Sequence, residues 1–230
     1  IVFLQGSKAN SIAFTTIRNG QTGIYLGTPD LDTIPDLVIK NSIIENMSLS
    51  GLISYTSDVY VDNTLINNCQ EFTVANLAGG NAIYLNNTFA NYSFDFIRET
   101  PATAFTDYVA LADGSVLREN LNLSMINNII YGDLNDEIAF DFSGETEVTL
   151  FFRNNLLKTT IDDLDINFNI LNEDPKFKSP FNFEFQPDSL SPAIDKGFDI
   201  GLDIDLDSMN RDELPDIGAY EFTGSAATPE

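Results

Sequence analysis

The sequence predicts an all-β protein: a single-stranded, right-handed parallel β-helix, a solenoid closed by a C-terminal cap. Three observations carry this expectation. One phrase recurs. Leu37-Val38-Ile39-Lys40-Asn41-Ser42-Ile43-Ile44 returns at 59–66, 83–90, 123–130 and 150–157, each time an alternating strand, an asparagine, a polar residue and an apolar pair. The asparagines read as equivalent, Asn41, Asn63, Asn87, Asn127 and Asn154, are 22, 24, 40 and 27 residues apart, coil-sized steps with one long exception. Finally, a strand-turn-strand unit of about that length cannot bury its apolar face alone, whereas stacked neighbours can.

Other solutions fit less well. A leucine-rich repeat would need a fixed leucine and helix-forming segments, and neither is present. A β-sandwich also offers short alternating strands, but hairpins need only alternation and would not repeat a phrase. Within the phrase, Asn41 shares a face with Leu37 and Ile39 and so points inward. A buried amide is costly unless paired, and stacked coils pair it with the amides above and below, as in a fibril ladder. Asn41, Asn63, Asn87, Asn127 and Asn154 are therefore the expected structural ladder. Asparagine also tolerates the left-handed backbone of a sharp corner. Which of Ile43 and Ile44 faces inward is left open by the pattern.

Taken in order, the coils begin with a degenerate copy at 12–17, where Thr15 replaces the asparagine. Asn19-Gly20, Pro29, Asp30 and Pro35 mark turns. Three regular coils follow to about residue 93. The long step predicts an excursion at 94–120, either a protruding loop or a coil that has lost its asparagine, carrying Arg98, Glu99, Pro101, Asp107, Tyr108 and Arg118, and long excursions on rigid scaffolds often carry binding sites. Coils resume at 121 and continue to about 170. The expected organisation is thus 1–170 coils, 171–222 a final coil and cap, and 223–230 a tail. Three or four buried apolar side chains per coil, at roughly 1.5–3 kcal/mol each, make such a core sufficient.

Composition narrows the partners. The formal net charge is −24, with 35 acidic residues, 11 basic and no histidine. The acids gather late: 12 against 5 bases before position 133, and 23 against 6 from that position on. Such a surface repels nucleic acid and anionic lipid, and the absence of histidine excludes a His-based catalytic triad. No run is long enough to span a membrane. A lone Cys69 allows no internal disulfide. The chain starts in mid-pattern with Ile1-Val2-Phe3, and is expected to be a mature or trimmed part of a longer protein.

Two stretches suggest chemistry. Asp203, Asp205 and Asp207 alternate ahead of Asn210 and Asp212, an oxygen-rich cluster that suits calcium. However, Ser208 and Leu214 stand where an EF-hand loop needs glycine and glutamate, and Arg211 neutralises the cluster. Calcium is the one cofactor the sequence admits. The second stretch is the outward side of the repeated strand, where Lys40, Asp62, Asn86, Ile126 and Arg153 read as one row beside Tyr60, Tyr84 and Phe151. Exposed aromatics flanked by polar groups hold sugar rings, so Lys40, Tyr60, Asp62, Tyr84, Asn86 and Arg153 are candidate ligand-binding residues. In a polysaccharide lyase, Lys40 or Arg153 would serve as base, with acids holding calcium against a uronate; the paired carboxylates of a hydrolase could be drawn from any of the 35 acids. Ile126 interrupts the row, and tyrosines stacking between coils explain the aromatics without a ligand.

The final stretch contains Asp174-Pro175-Lys176-Phe177, Leu190-Ser191-Pro192-Ala193-Ile194-Asp195-Lys196-Gly197 and Pro215-Asp216-Ile217-Gly218-Ala219-Tyr220-Glu221-Phe222. It resembles the C-terminal end of secreted right-handed parallel β-helix proteins of the choice-of-anchor Q type, found in Bacteroidetes. Ser208 departs from the glycine usual there. The resemblance implies a secreted or outer-membrane, cell-surface location, with polysaccharide or other surface proteins as partners, and no single activity. Asp32-Thr33-Ile34, Asp188-Ser189-Leu190 and Asp207-Ser208-Met209 also resemble the acceptor triplet for O-glycosylation in those bacteria. Physically, Phe183, Phe185, Ile194, Ile217 and Tyr220 are expected to cover the solenoid's end, with Arg211 pairing Asp205, Asp207 or Asp216. The reading that follows is a non-catalytic glycan-binding or structural surface module, with the lyase or hydrolase as its alternative.

Overall fold

The computed structural model describes residues 1–27, 34–92 and 96–224. The turn residues Pro29 and Asp30, most of the triplet at 32–34, the start of the excursion at 94–95 and most of the tail lie outside the described residues.

The strands are β1 (Val2–Phe3), β2 (Asn10–Ala13), β3 (Thr16–Arg18), β4 (Ile24–Leu26), β5 (Leu37–Lys40), β6 (Ile43–Met47), β7 (Leu52–Tyr55), β8 (Val59–Asp62), β9 (Leu65–Cys69), β10 (Val74–Leu77), β11 (Gly80–Leu85), β12 (Thr88–Asn91), β13 (Thr103–Thr106), β14 (Tyr108–Ala110), β15 (Val116–Arg118), β16 (Leu121–Ile126), β17 (Ile129–Gly132), β18 (Ile138–Asp141), β19 (Val148–Arg153), β20 (Leu156–Leu157), β21 (Ile170–Leu171), β22 (Phe177–Ser179) and β23 (Glu184–Pro187). Through β12, every third strand joins the same sheet. The first sheet runs β1-β4-β7-β10-β13-β18, the second β2-β5-β8-β11-β16-β19 and the third β3-β6-β9-β12-β17-β20-β21. Neighbours in all three are parallel and one coil apart. The fold is all-β, with three long parallel sheets of stacked strands, an arrangement consistent with a β-helix solenoid. The hairpins β14–β15 and β22–β23 are antiparallel.

Alternation fills the space between the sheets. Leu37, Val59, Ala82 and Leu123 stack in one row, and Ile39, Val61, Tyr84, Met125 and Phe152 in the next, all within the main core. The register corrects one copy of the phrase. Leu85, not Asn86, pairs with Asp62 below and Ile126 above, so the third copy begins at Ala82. Asn86 thereby joins Asn41, Asn63, Asn127 and Asn154 in a corner row, and all five have left-handed φ between 43° and 58°.

The amide ladder lies one residue further on. Asn87 Nδ2 donates to Asn128 Oδ1 (3.0 Å), Asn128 Nδ2 to Asn155 Oδ1 (3.0 Å) and Asn155 Nδ2 to Asn169 Oδ1 (3.0 Å). Each Oδ1 also accepts the backbone N–H of the preceding ladder residue. Of the five asparagines expected in the ladder, Asn87 belongs to it. Asn41, Asn63, Asn127 and Asn154 instead turn the corner, and their amides reach the C-terminal segment.

That corner also decides the facing of the apolar pair. Ile44, Ile66, Phe89, Ile130 and Leu157 enter the main core. Leu65, Ile129 and Leu156, with Ile43 half-buried beside them, form a second apolar stripe on the outside of the third sheet. The C-terminal segment covers this stripe with Phe177, Phe185, Ala193, Ile217, Ala219 and Tyr220. Of the residues expected to cover the end, Phe185, Ile217 and Tyr220 therefore pack along the side. Gly218 sets how closely the segment lies, because a Cβ there would sit 2.8 Å from Ile129 Cδ1 and its φ is +106°. Leu164 enters the main core at the end itself, from a short 3₁₀ turn at Asp162–Leu164.

The excursion is one coil with two lengthened turns. Arg98 and Glu137, both wholly buried, close the first in a two-pronged ion pair of 2.6 and 2.7 Å. The hairpin β14–β15 forms the second, at the passage from the first sheet to the second. Its base is tied by Asp107, whose carboxylate accepts bonds from Ser143 N and Oγ and from Thr146 Oγ1.

Candidate functional site

The outer face of the second sheet is built by side chains at alternate positions of six stacked strands. The corrected register gives a central row of Val38, Tyr60, Ile83, Ser124 and Phe151. Ile83 and Phe151 are exposed and Tyr60 is half-buried. On one side runs a polar row in which Asn122 Nδ2 donates to Asn81 Oδ1 (2.8 Å) and Asn81 Nδ2 to Asp58 Oδ1 (2.6 Å). On the other side are Lys40, Asp62, Leu85, Ile126 and Arg153.

Of the six candidate ligand residues, Lys40, Tyr60 and Asp62 come together. Lys40 Nζ lies 2.7 Å from Asp62 Oδ2 and 4.8 Å from the centre of the Tyr60 ring. Burial, reinforced by the Asp62 charge, pushes the Tyr60 phenol up to about 12. Arg153 is on the same face but is stacked on Phe198 of the C-terminal segment, at 3.6 Å from the ring centre. Both cations are thus held by neighbours, which leaves neither positioned as a ready base. Tyr84 is on the opposite side of its strand. It is fully buried, its hydroxyl donates to Asn76 Oδ1, and it packs edge-on against Phe89. Asn86 is buried in the corner, donating to Asp216 O (3.2 Å). Its place in the row belongs to Leu85. The reading from sequence missed Ile83 and Leu85, and the strand's three consecutive apolar residues Ile83-Tyr84-Leu85 concealed which ones alternate outward.

The acidic stretch folds into a different device. Asp205 Oδ1 accepts Met209 N (2.7 Å) and Oδ2 accepts Glu221 N (2.8 Å). Asp207 Oδ2 accepts Gln186 Nε2 (2.9 Å), and Asp203 lines a separate cleft. Among the described residues, no three Asp, Glu, Cys or His side chains are grouped so as to hold a metal ion. Arg211 pairs with Glu221 (3.1 Å), a partner outside those expected, and reaches Asn63 Oδ1 (2.9 Å) and Gly218 O (2.9 Å). The guanidinium therefore ties the C-terminal segment to the corner row. Beside it, Asp216 accepts Asp195 N and Phe222 N. Its burial, aided by the nearby Glu221 charge, raises its carboxyl to about 7. Burial likewise raises Glu221 and lowers Arg211.

A second asparagine corner, absent from the sequence reading, lies on the third sheet. Asn19, Asn46 and Asn68 have φ of 59°, 58° and 50°. Their spacing, 27 and then 22 residues, was visible in the sequence but falls outside the phrase.

The chain matches no family model and no curated protein. No helix among the described residues is long and apolar enough to cross a membrane.

Proposed function

We propose that this chain is a right-handed parallel β-helix exported to the surface of a Bacteroidetes-like bacterium, where it acts as a non-catalytic glycan-binding or structural module. The observation that carries the reading is the outer face of the second sheet. Tyr60, Ile83 and Phe151 stand in its central row, with Ser124 between the last two, beside the polar row of Asp58, Asn81 and Asn122. Strands lie about 4.8 Å apart, so Tyr60 and Phe151, three strands apart, are separated by about 14 Å. An extended chain of a few sugar units fits that length, with ring faces on the apolar row and hydroxyls toward Asp58, Asn81 and Asn122. Both basic groups on this face are engaged, which favours holding a glycan over cleaving one. The terminal motifs 190–197 and 215–222 support export through their resemblance to choice-of-anchor proteins.

The test is to incubate the purified chain with a panel of uronic-acid and neutral polysaccharides, with and without calcium. Binding without turnover, weakened in Phe151→Ala and Tyr60→Ala, is the expected result. New unsaturated or reducing ends would replace it with a lyase or hydrolase.

A further inference from the structure

We propose that the cleft beside the second asparagine corner binds a neutral sugar ring, whether or not the outer face of the second sheet binds a glycan. The corner is an amide row that stops short. Asn68 Nδ2 donates to Asn46 Oδ1 (2.6 Å), and Asn46 Nδ2 reaches toward Asn19 Oδ1 (3.5 Å). In the next coil the equivalent residue is Asn91, since Ala90 pairs with Asn67. Asn91 does not extend the row. Its Oδ1 accepts Cys69 N (2.8 Å) and its Nδ2 donates to Glu71 O (2.9 Å). Asn68 is 8 % exposed, and its Oδ1 is buried without a donor among the described residues. Buried carbonyl oxygens normally have one.

Asn68 lines a cleft of about 410 Å³ with Asn46, Ser48, Gln70, Phe96 and Phe183. Phe183 is placed there at a cost. It sits at φ 60°, a left-handed conformation that bulky side chains avoid, directly after the 3₁₀ turn Pro180–Asn182. The chemistry of the lining is selective. Amides and hydroxyls both donate and accept, which matches a sugar hydroxyl, and the two phenyl rings match the apolar face of a pyranose. No charged side chain among the described residues lines the cleft, so it offers a uronate carboxylate or the ammonium of an amino sugar no ion-pair partner. The size lies within the usual range for small-ligand sites.

The experiment is calorimetric titration of the full chain with mannotriose, cellotriose, galactotriose and trigalacturonate. At least one neutral trisaccharide should bind, and trigalacturonate should not. Phe183→Gly removes the ring while suiting the left-handed backbone, so the fold is kept. It should weaken binding about tenfold, the loss of one stacking contact. Gln70→Ala, at an exposed position, should weaken it severalfold, and Phe151→Ala on the second sheet should leave it unchanged. The proposal is overturned if no neutral trisaccharide binds, if trigalacturonate binds equally well, or if Phe183→Gly and Gln70→Ala bind like the parent chain. Loss of binding in Phe151→Ala alone would move the ligand to the outer face.

Discussion

Replacing Asn128 by alanine tests the inner ladder directly. Asn128 is fully buried, and its Oδ1 accepts both the backbone N–H and the Nδ2 of Asn87. Its Nδ2 donates to Tyr84 O, Ile126 O and Asn155 Oδ1. In Asn128→Ala, Asn87 Nδ2 keeps Val61 O and Asn155 Oδ1 keeps the Asn128 backbone N–H. The Asn87 backbone N–H keeps nothing, and a buried orphan donor costs about 1–3 kcal/mol. The three missing heavy atoms leave a void worth about 1 kcal/mol. The expected loss is therefore about 2–4 kcal/mol. Asn41→Gly is the comparison. Asn41 is half-buried at φ 44°, where glycine is at ease, and its side chain makes one long bond, to Asp205 O at 3.2 Å. That variant should lose less than about 1 kcal/mol. Urea unfolding followed by far-ultraviolet circular dichroism measures both, with equal slopes required. Equal losses in the two variants, or a loss in Asn128→Ala below that of Asn41→Gly, would refute the assignment of ladder and corner.

Three further outcomes follow from buried polar groups. Asp216, with its carboxyl raised from 3.8 to about 7, favours the folded state most when protonated. Its contribution is full below the unfolded value and is lost as pH rises through about 7. Between pH 5.5 and 8 this amounts to about 2 kcal/mol, and the stability difference across that interval should shrink by about that much in Asp216→Asn; an unchanged pH profile would remove the effect. Arg98→Ala leaves Glu137 buried without its cation and should cost about 3–5 kcal/mol in thermal unfolding; a loss under 1 kcal/mol would show that the pair is solvated. The Cys69 thiol is fully buried, and burial pushes it up to about 12. Iodoacetamide at pH 8 should leave it unmodified until denaturant is added, and rapid alkylation of the native chain would contradict the packing around it.

Much of the architecture was legible because each coil repeats the same short-range instruction. The alternation of Leu37, Ile39, Val59 and Val61 and the corner at Asn41 and Asn63 each concern residues within a few positions of one another. The register failed at Asn86-Asn87, where two amides stand together after an unbroken apolar run and either could be read as the corner. Burial of Tyr84 depends on Asn76 on another sheet, which no local pattern contains. The lateral course of the C-terminal segment rests on contacts such as Asn63 Nδ2 to Ile204 O, 141 positions apart. Its aromatic residues announced a cover, and only tertiary structure could say which surface they cover. The outward isoleucine and leucine of each pair were the missing clue, since they create an apolar stripe that needs one.

The third sheet carries one strand more than the other two, because the last turn is short and returns straight from β20 to β21. That leaves a ledge where the barrel would otherwise finish level. A neighbouring molecule trying to continue all three sheets would meet β21 in the place its own third-sheet strand must take. The edges at that end are therefore staggered, with β21 standing one strand beyond β18 and β19.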